Sequence, residues 1–187
     1  VFYPDSMTIV PTPLDGSFVI DLDPRRDDRG LFVRHFCQAT YRSHGLATEF
    51  VQMNHSRTRG LGTVRGMHFQ HPPHGEVKVV RCTRGAIWDV FVDVRRDSPT
   101  FLQWHAVELS EGNLRVAYIP VGFAHGFQAL TDDVDVMYSV TASYAPHAEG
   151  KLNCLDPRLA IPWPRPVVGL SPKDAAAPLI DAAWRGI

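Results

Sequence analysis

The chain is a succession of short β-rich runs separated by turn residues. Strands are predicted over residues 17–21, 30–36, 50–56, 63–69, 77–82, 86–92, 103–109, 115–119, 126–130 and 134–141. Val, Ile and Phe recur within these runs, and Gly, Pro, Asp or Asn stand between them, as the pleat and its turns require. Ile87, Val90 and Val92 lie close together, which predicts a strand buried on both faces. Regular short strands with turn signals point to a sandwich or barrel, and the fold class that follows is all-β, a double-sheet jelly roll. Helical signals are sparse. Residues 39–44 form a candidate short helix ended by Gly45. Ser171 and Pro172 have the form of an N-cap and first helical position, so the apolar stretch through Trp184 is expected to be a C-terminal helix. No linker, repeat or low-complexity tract divides residues 1–187, and one domain is expected.

Composition narrows the function classes. A chain of 187 residues can bury a sizeable core. At 44% hydrophobic and 21% charged it has globular rather than disordered composition. The net charge of −1 lacks the basic excess of a nucleic-acid-binding surface. No apolar run approaches the roughly 20 residues that span a bilayer. Val1 to Ser6 lack signal-peptide features, so Met7 is the expected start, preceded by upstream or vector-encoded residues. Cys37, Cys82 and Cys154 are odd in number and form no CxxC pair, which favours reduced thiols and a cytoplasmic protein over a disulfide or zinc framework.

Several segments carry chemistry. In Val64-Arg65-Gly66-Met67-His68-Phe69-Gln70, strand alternation sends Arg65 and His68 to opposite faces unless Gly66 introduces a bulge. Lys78 interrupts an apolar run. It either snorkels to solvent or sits as a partly buried ammonium able to stabilise an enolate oxygen. Asp89 and Asp93 interrupt another such run, either to orient a histidine or arginine or as strand-end residues. Pro120-x-Gly122-x-x-His125 resembles the second motif of the cupins, small jelly-roll barrels. The first cupin motif, His-x-His followed by Glu, is incomplete here, although His68, His71, His74 and Glu76 lie near its place.

With these residues in view, the sequence resembles the dTDP-4-dehydrorhamnose 3,5-epimerases, cupins that work without metal. The resemblance runs from about residue 27 to 178. Its marks are Asp28-Arg29-Gly30-Leu31-Phe32, Gln52-Met53-Asn54-His55-Ser56, Arg65 to Gln70, Asp89 to Arg95, Ser98-Pro99-Thr100-Phe101, Ile119 to Phe127, Asp156-Pro157, Ile161-Pro162-Trp163-Pro164 and Ser171-Pro172-Lys173-Asp174. It implies His68 as catalytic base, Asp174 as its paired carboxylate, Lys78 beside the keto oxygen and Tyr138 as the acid on the opposite face of the sugar. It further implies substrate-binding roles for Arg29, Phe32, Gln52, Asn54, Arg65, His125, Tyr144 and Lys173. The implied substrate is a nucleotide-diphospho-4-keto-6-deoxyhexose, with dTDP favoured and no cofactor or metal. The implied assembly is a homodimer with exchanged N-terminal strands, in which Arg29 and Phe32 act in the partner's site.

The roles match the reaction. A ketone at C4 acidifies the hydrogens on C3 and C5, and histidine titrates near neutral pH, so it can accept and release a proton. Inversion needs a second proton donor on the other face, which a tyrosine hydroxyl supplies. Taken singly, Tyr138 also reads as a core aromatic, Asp174 as a helix-start acid and Arg29 as part of a solvated charge cluster. The chain departs from the family at Arg34, where a glutamate is usual, at Ser143 beside Tyr144, and in Asn153-Cys154-Leu155-Asp156. These departures bear on the nucleotide base and on whether one carbon or two is inverted. The alternatives are a metal-dependent cupin oxygenase or isomerase and a non-catalytic sugar-nucleotide binding protein.

Overall fold

The computed structural model describes residues 7–187, and the stretch expected to precede the start lies outside the described residues. Among the described residues, thirteen strands form two facing sheets and a separate ribbon. The six-stranded sheet has the order β1 (Met7–Pro11), β2 (Phe18–Leu22), β10 (Val116–Ile119), β7 (Lys78–Arg84), β12 (Asp133–Val140) and β5 (Gln52–Arg59). The five-stranded sheet has the order β13 (Glu149–Lys151), β6 (Val64–Gln70), β11 (Phe123–Ala129), β8 (Ala86–Asp93) and β9 (Trp104–Ser110). All these pairings are antiparallel. This is the expected all-β jelly roll.

Three apolar clusters hold it together. The first fills the space between the sheets, where Ile87, Phe91, Val80 and Val136 are almost fully buried. Each such side chain stabilises the fold by about 1.5–3 kcal/mol. The second lies on the outer face of the five-stranded sheet, where Val64, Met67, Val90 and Val92 pack against residues of the segment after β13. Strand β8 therefore feeds Ile87 and Phe91 to one core and Val90 and Val92 to the other, as its near-continuous apolar run predicts. The third cluster lies under the short helix α1 (Gln38–Ser43), where Tyr41 meets Ile20 and Val116. Gly45 follows that helix at φ 71°, the left-handed conformation that ends it.

The C-terminal helix is short and ends well before Trp184, to which the apolar stretch suggests it could run. Only Pro172–Ala175 (α2) is helical, with Ser171 Oγ accepting from Asp174 N at 3.1 Å as the predicted cap. Pro178 disfavours helical backbone at the residue before it. The chain beyond instead lays Ile180 and Trp184 on the second core. Buried Asp156 tethers this wrap, accepting from Arg158 N at 2.8 Å and Ile180 N at 2.5 Å.

The strand expected over 30–36 is shorter as well. Gly30–Phe32 (β4) pairs only with Arg25–Asp27 (β3), and this ribbon joins neither sheet. Every residue of both strands is exposed, with Phe32 at 62%. Among the described residues nothing covers the apolar side chains of this ribbon.

Candidate active site

Strand β6 lies one place in from the edge of its sheet. Its register against β11 pairs His125 with His68 and Phe127 with Arg65. Two residues, Gly66 and Met67, therefore oppose the single Gly126, which is the bulge that Gly66 suggested. Below it Val64, Met67 and Phe69 face the outer core; above it Arg65 and His68 line one cavity. Gly66 has φ +132°, and a Cβ there would lie 2.5 Å from Gly126 Cα and 2.9 Å from the His125 carbonyl oxygen. Only glycine fits the strands' close approach, and this approach brings Arg65 and His68 to the same side.

The cavity is about 420 Å³ and opens between the sheets. A second of equal size adjoins it and shares His68, Lys78, Tyr138 and Glu149. His68 projects from the five-stranded sheet. Lys78 and Tyr138 project from β7 and β12 of the other, where the registers Val140↔Lys78 and Tyr138↔Val80 place both on the inward face. His68 and the two groups predicted to act with it thus face each other across one space.

His68 Nε2 and Asp174 Oδ1 are 2.7 Å apart. An ionised carboxylate only accepts, so Nε2 carries the hydrogen and Nδ1 keeps its lone pair. Burial pulls the His68 pKa below the usual imidazole value, against the raising effect of Asp174, and Lys78 and Lys151 add to the lowering. Burial raises the Asp174 pKa, but His68, Ser171 and Lys151 outweigh it and hold the carboxyl below its ordinary range. The result is a neutral imidazole beside an ionised carboxylate. Tyr138 is pushed upward, first by burial and then by Glu76, so its phenol keeps its proton.

Lys78 is 8% exposed, and its Nζ lies 3.2 Å from Glu76 Oε1 and 3.4 Å from the His68 carbonyl oxygen. It is therefore buried and does not snorkel. Asp89, fully buried, receives a 2.7 Å hydrogen bond from His125 Nε2. Asp93 grips Arg95 at 2.8 Å and also accepts from Ser98 and Thr100. Both aspartates orient a basic side chain, one of the two roles the sequence left open. Arg65 donates to Thr58 Oγ1 at 2.7 Å and to the Arg57 carbonyl oxygen at 3.2 Å.

The other predicted site residues divide into two groups. His125 and Lys173 line the first cavity; Gln52, Asn54 and Tyr144 line the second, where Gln52 Oε1 accepts from Tyr144 N at 2.7 Å. Arg29 and Phe32 are not brought to this site. They lie on the β3–β4 ribbon, where Arg29 pairs with Asp27 at 2.6 Å. Of the side chains that a metal centre would draw on, His71 is exposed and His74 Nε2 meets His147 Nε2 at 3.2 Å. Among the described residues no three His, Cys, Asp or Glu side chains are grouped to hold an ion.

Sequence reasoning weighed Glu76 only against the incomplete cupin metal motif and did not place Lys151. Glu76 is two residues before Lys78 and shares its face, a signal that strand alternation offered. Lys151 Nζ lies 3.7 Å from Asp174 Oδ1. Its strand, Glu149-Gly150-Lys151, has no β-forming pattern that would have placed it there.

This fold and this cavity define a cupin-type jelly-roll protein whose interior is lined by titratable side chains from both sheets. The family model described as dTDP-4-dehydrorhamnose 3,5-epimerase matches residues 11–182, and the chain belongs to that family. It is 40% identical over 179 residues to the dTDP-4-dehydrorhamnose 3,5-epimerase of Salmonella typhimurium, covering 95% of this chain and 97% of that one. It is 37% identical to a dTDP-4-dehydrorhamnose 3-epimerase of Streptomyces niveus, covering 95% of this chain and 86% of the relative. Among solved structures it superposes on dTDP-6-deoxy-D-glucose-3,5-epimerase of Legionella pneumophila, in complex with dTDP-4-keto-L-rhamnose. The TM-score there is 0.89 at 42% identity, covering 96% and 97% of the two chains. Among the described residues no helix is long and apolar enough to cross a membrane.

Proposed function

We propose that this protein converts dTDP-4-dehydro-6-deoxy-D-glucose to dTDP-4-dehydro-L-rhamnose by inverting C3 and C5. The observation that carries this reading is the opposition of His68 on one sheet to Lys78 and Tyr138 on the other, in a chain of this family. His68 Nδ1 takes the hydrogen on the carbon next to the ketone as a proton. The C–H electron pair becomes the enolate double bond, and negative charge moves to the keto oxygen. Asp174 stabilises the imidazolium through Nε2. The Lys78 ammonium receives the oxyanion, and a preorganised donor of this kind is worth about 3–4 kcal/mol in barrier. Tyr138 O–H then protonates the carbon from the opposite face, and solvent restores both groups.

Arg65 and Lys173 at one end of the cavity suit the diphosphate; Gln52, Asn54 and Tyr144 at the other suit the sugar. The exposed ribbon supports a homodimer in which Arg29 and Phe32 reach the partner's site. A mixture of Arg29→Ala and His68→Ala subunits is then expected to recover about one quarter of wild-type activity, because half of each heterodimer's sites are intact. Mixing verified by native mass spectrometry with no recovery would overturn shared sites.

The reaction itself is tested by running the enzyme in heavy water and following the sugar by NMR. Deuterium entering C3 and C5 supports the double inversion. Entry at one carbon alone would make it a single-centre epimerase, as the Streptomyces niveus relative is described. No entry would overturn the proposal, and the same assay with other nucleotide bases tests the effect of Arg34.

A further inference from the structure

Strand β13 has three residues, yet its register sets Lys151 directly opposite His68 on β6. Lys151 Nζ lies 3.7 Å from Asp174 Oδ1, the same oxygen that accepts from His68 Nε2 at 2.7 Å. Its second carboxylate is Glu149, at 3.6 Å. The Lys151 and Asp174 side chains keep only 17% and 7% of their exposure, so water screens this pair far less than a surface pair. A carboxylate oxygen shared by an imidazole and an ammonium divides its field between them. The nearer imidazole holds the hydrogen bond, and the ammonium opposes a second positive charge beside it.

We infer that Lys151 is a positioning residue for proton transfer: it holds Asp174 ionised and oriented and opposes the charging of His68, so that the imidazole is available as a base. The inference rests on His68 being the proton acceptor of the proposed reaction. The charged and titratable groups around His68 are Asp174 and Lys173 from α2, Lys151 and Glu149 from β13, and Lys78, with Glu76 behind it, from β7. His125 faces it from β11, Tyr138 from β12, and Arg65 lies on its own strand. Lys78 is compensated by Glu76 at 3.2 Å and faces the keto oxygen in the proposed mechanism. Lys151 is the ammonium that shares the carboxylate of His68. The lowering of His68, with burial as its first cause and Lys151 among the others, runs in the same direction.

Two readouts test this on the full chain. The His68 ring is titrated by NMR in the free protein, with its resonances assigned by their loss in His68→Asn. The pH profile of kcat/KM is measured alongside. Lys151→Met is expected to raise the His68 midpoint and to move the acid limb upward by about 0.5–1 pH unit. Lys151→Arg is expected to restore the wild-type limb. A midpoint and limb that stay within about 0.2 unit in Lys151→Met overturn the inference, leaving Lys151 as a tie between β13 and α2. If Lys151→Met does not fold, Lys151→Gln is read against the same two outcomes. Solvent exchange surviving in His68→Asn overturns the base assignment instead, and that result is independent of where the midpoint lies.

Discussion

His68→Asn is expected to lower turnover about a thousandfold and to stop solvent deuterium from entering the sugar at either carbon. The shorter amide overlays Nδ1 and does not reach Asp174, but the buried carboxylate keeps the Lys151 ammonium at 3.7 Å, so the fold is expected to survive. What the variant loses is the Nδ1 lone pair facing the cavity, and with it the first step. Stopped exchange together with an unchanged melting temperature is the signature of a lost base; stopped exchange with a collapsed melting temperature would be trivial. The wild-type pH profile carries the complementary sign. A base must be unprotonated, so kcat/KM rises as pH climbs through the His68 pKa, which burial places below the ordinary imidazole value. An acid limb above that ordinary value would contradict the environment described.

Tyr138→Phe is expected to separate two events that His68→Asn removes together. Turnover to the inverted sugar falls by about 10²–10⁴-fold, because the opposite-face donor is gone. Proton removal by His68 persists, and the imidazolium returns a solvent-derived proton to the face it came from. Deuterium therefore continues to enter the substrate, with retention of configuration. NMR of recovered substrate checks this directly. Equal losses of exchange and inversion would place Tyr138 outside the protonation step. Loss of the phenol also removes the alkaline limb, which lies above the usual tyrosine value because of burial and Glu76.

Much of the architecture was legible in the chain, and what escaped did so for physical reasons. Strands such as β8 and β12 declare themselves because each carries several β-branched residues on faces that must be covered. The edges are quieter. β13 is Glu-Gly-Lys, held by three pairings to β6 and by the packing of Gly150 on Phe69 rather than by propensity. The tail after α2 is apolar enough to suggest a helix, but its apolar groups face a flat sheet and Pro178 breaks its backbone.

In the site, alternation could place Glu76 with Lys78. It could not say whether Gly66 would bulge, and that one insertion decides whether Arg65 and His68 share a cavity. His68 and Asp174 are 106 residues apart, so their meeting depends on how the tail crosses the sheet. The resemblance supplied their roles, and the fold brings the two side chains together. Arg29 and Phe32 remain on a ribbon that the described residues leave uncovered.

The tail has a spectroscopic consequence. All four tryptophans of the chain, Trp88, Trp104, Trp163 and Trp184, lie in or against the core that this segment closes. Trp88 stands 5.6 Å from Trp163 and 6.1 Å from Trp104, and the Trp163 and Trp104 indoles donate to the Cys154 and Leu159 carbonyls in the stretch between β13 and α2. Intrinsic fluorescence is therefore a local gauge. Its emission reports whether the strap that carries Asp174 is seated on the outer sheet, and it is nearly blind to the interior between the sheets where His68, Lys78 and Tyr138 meet.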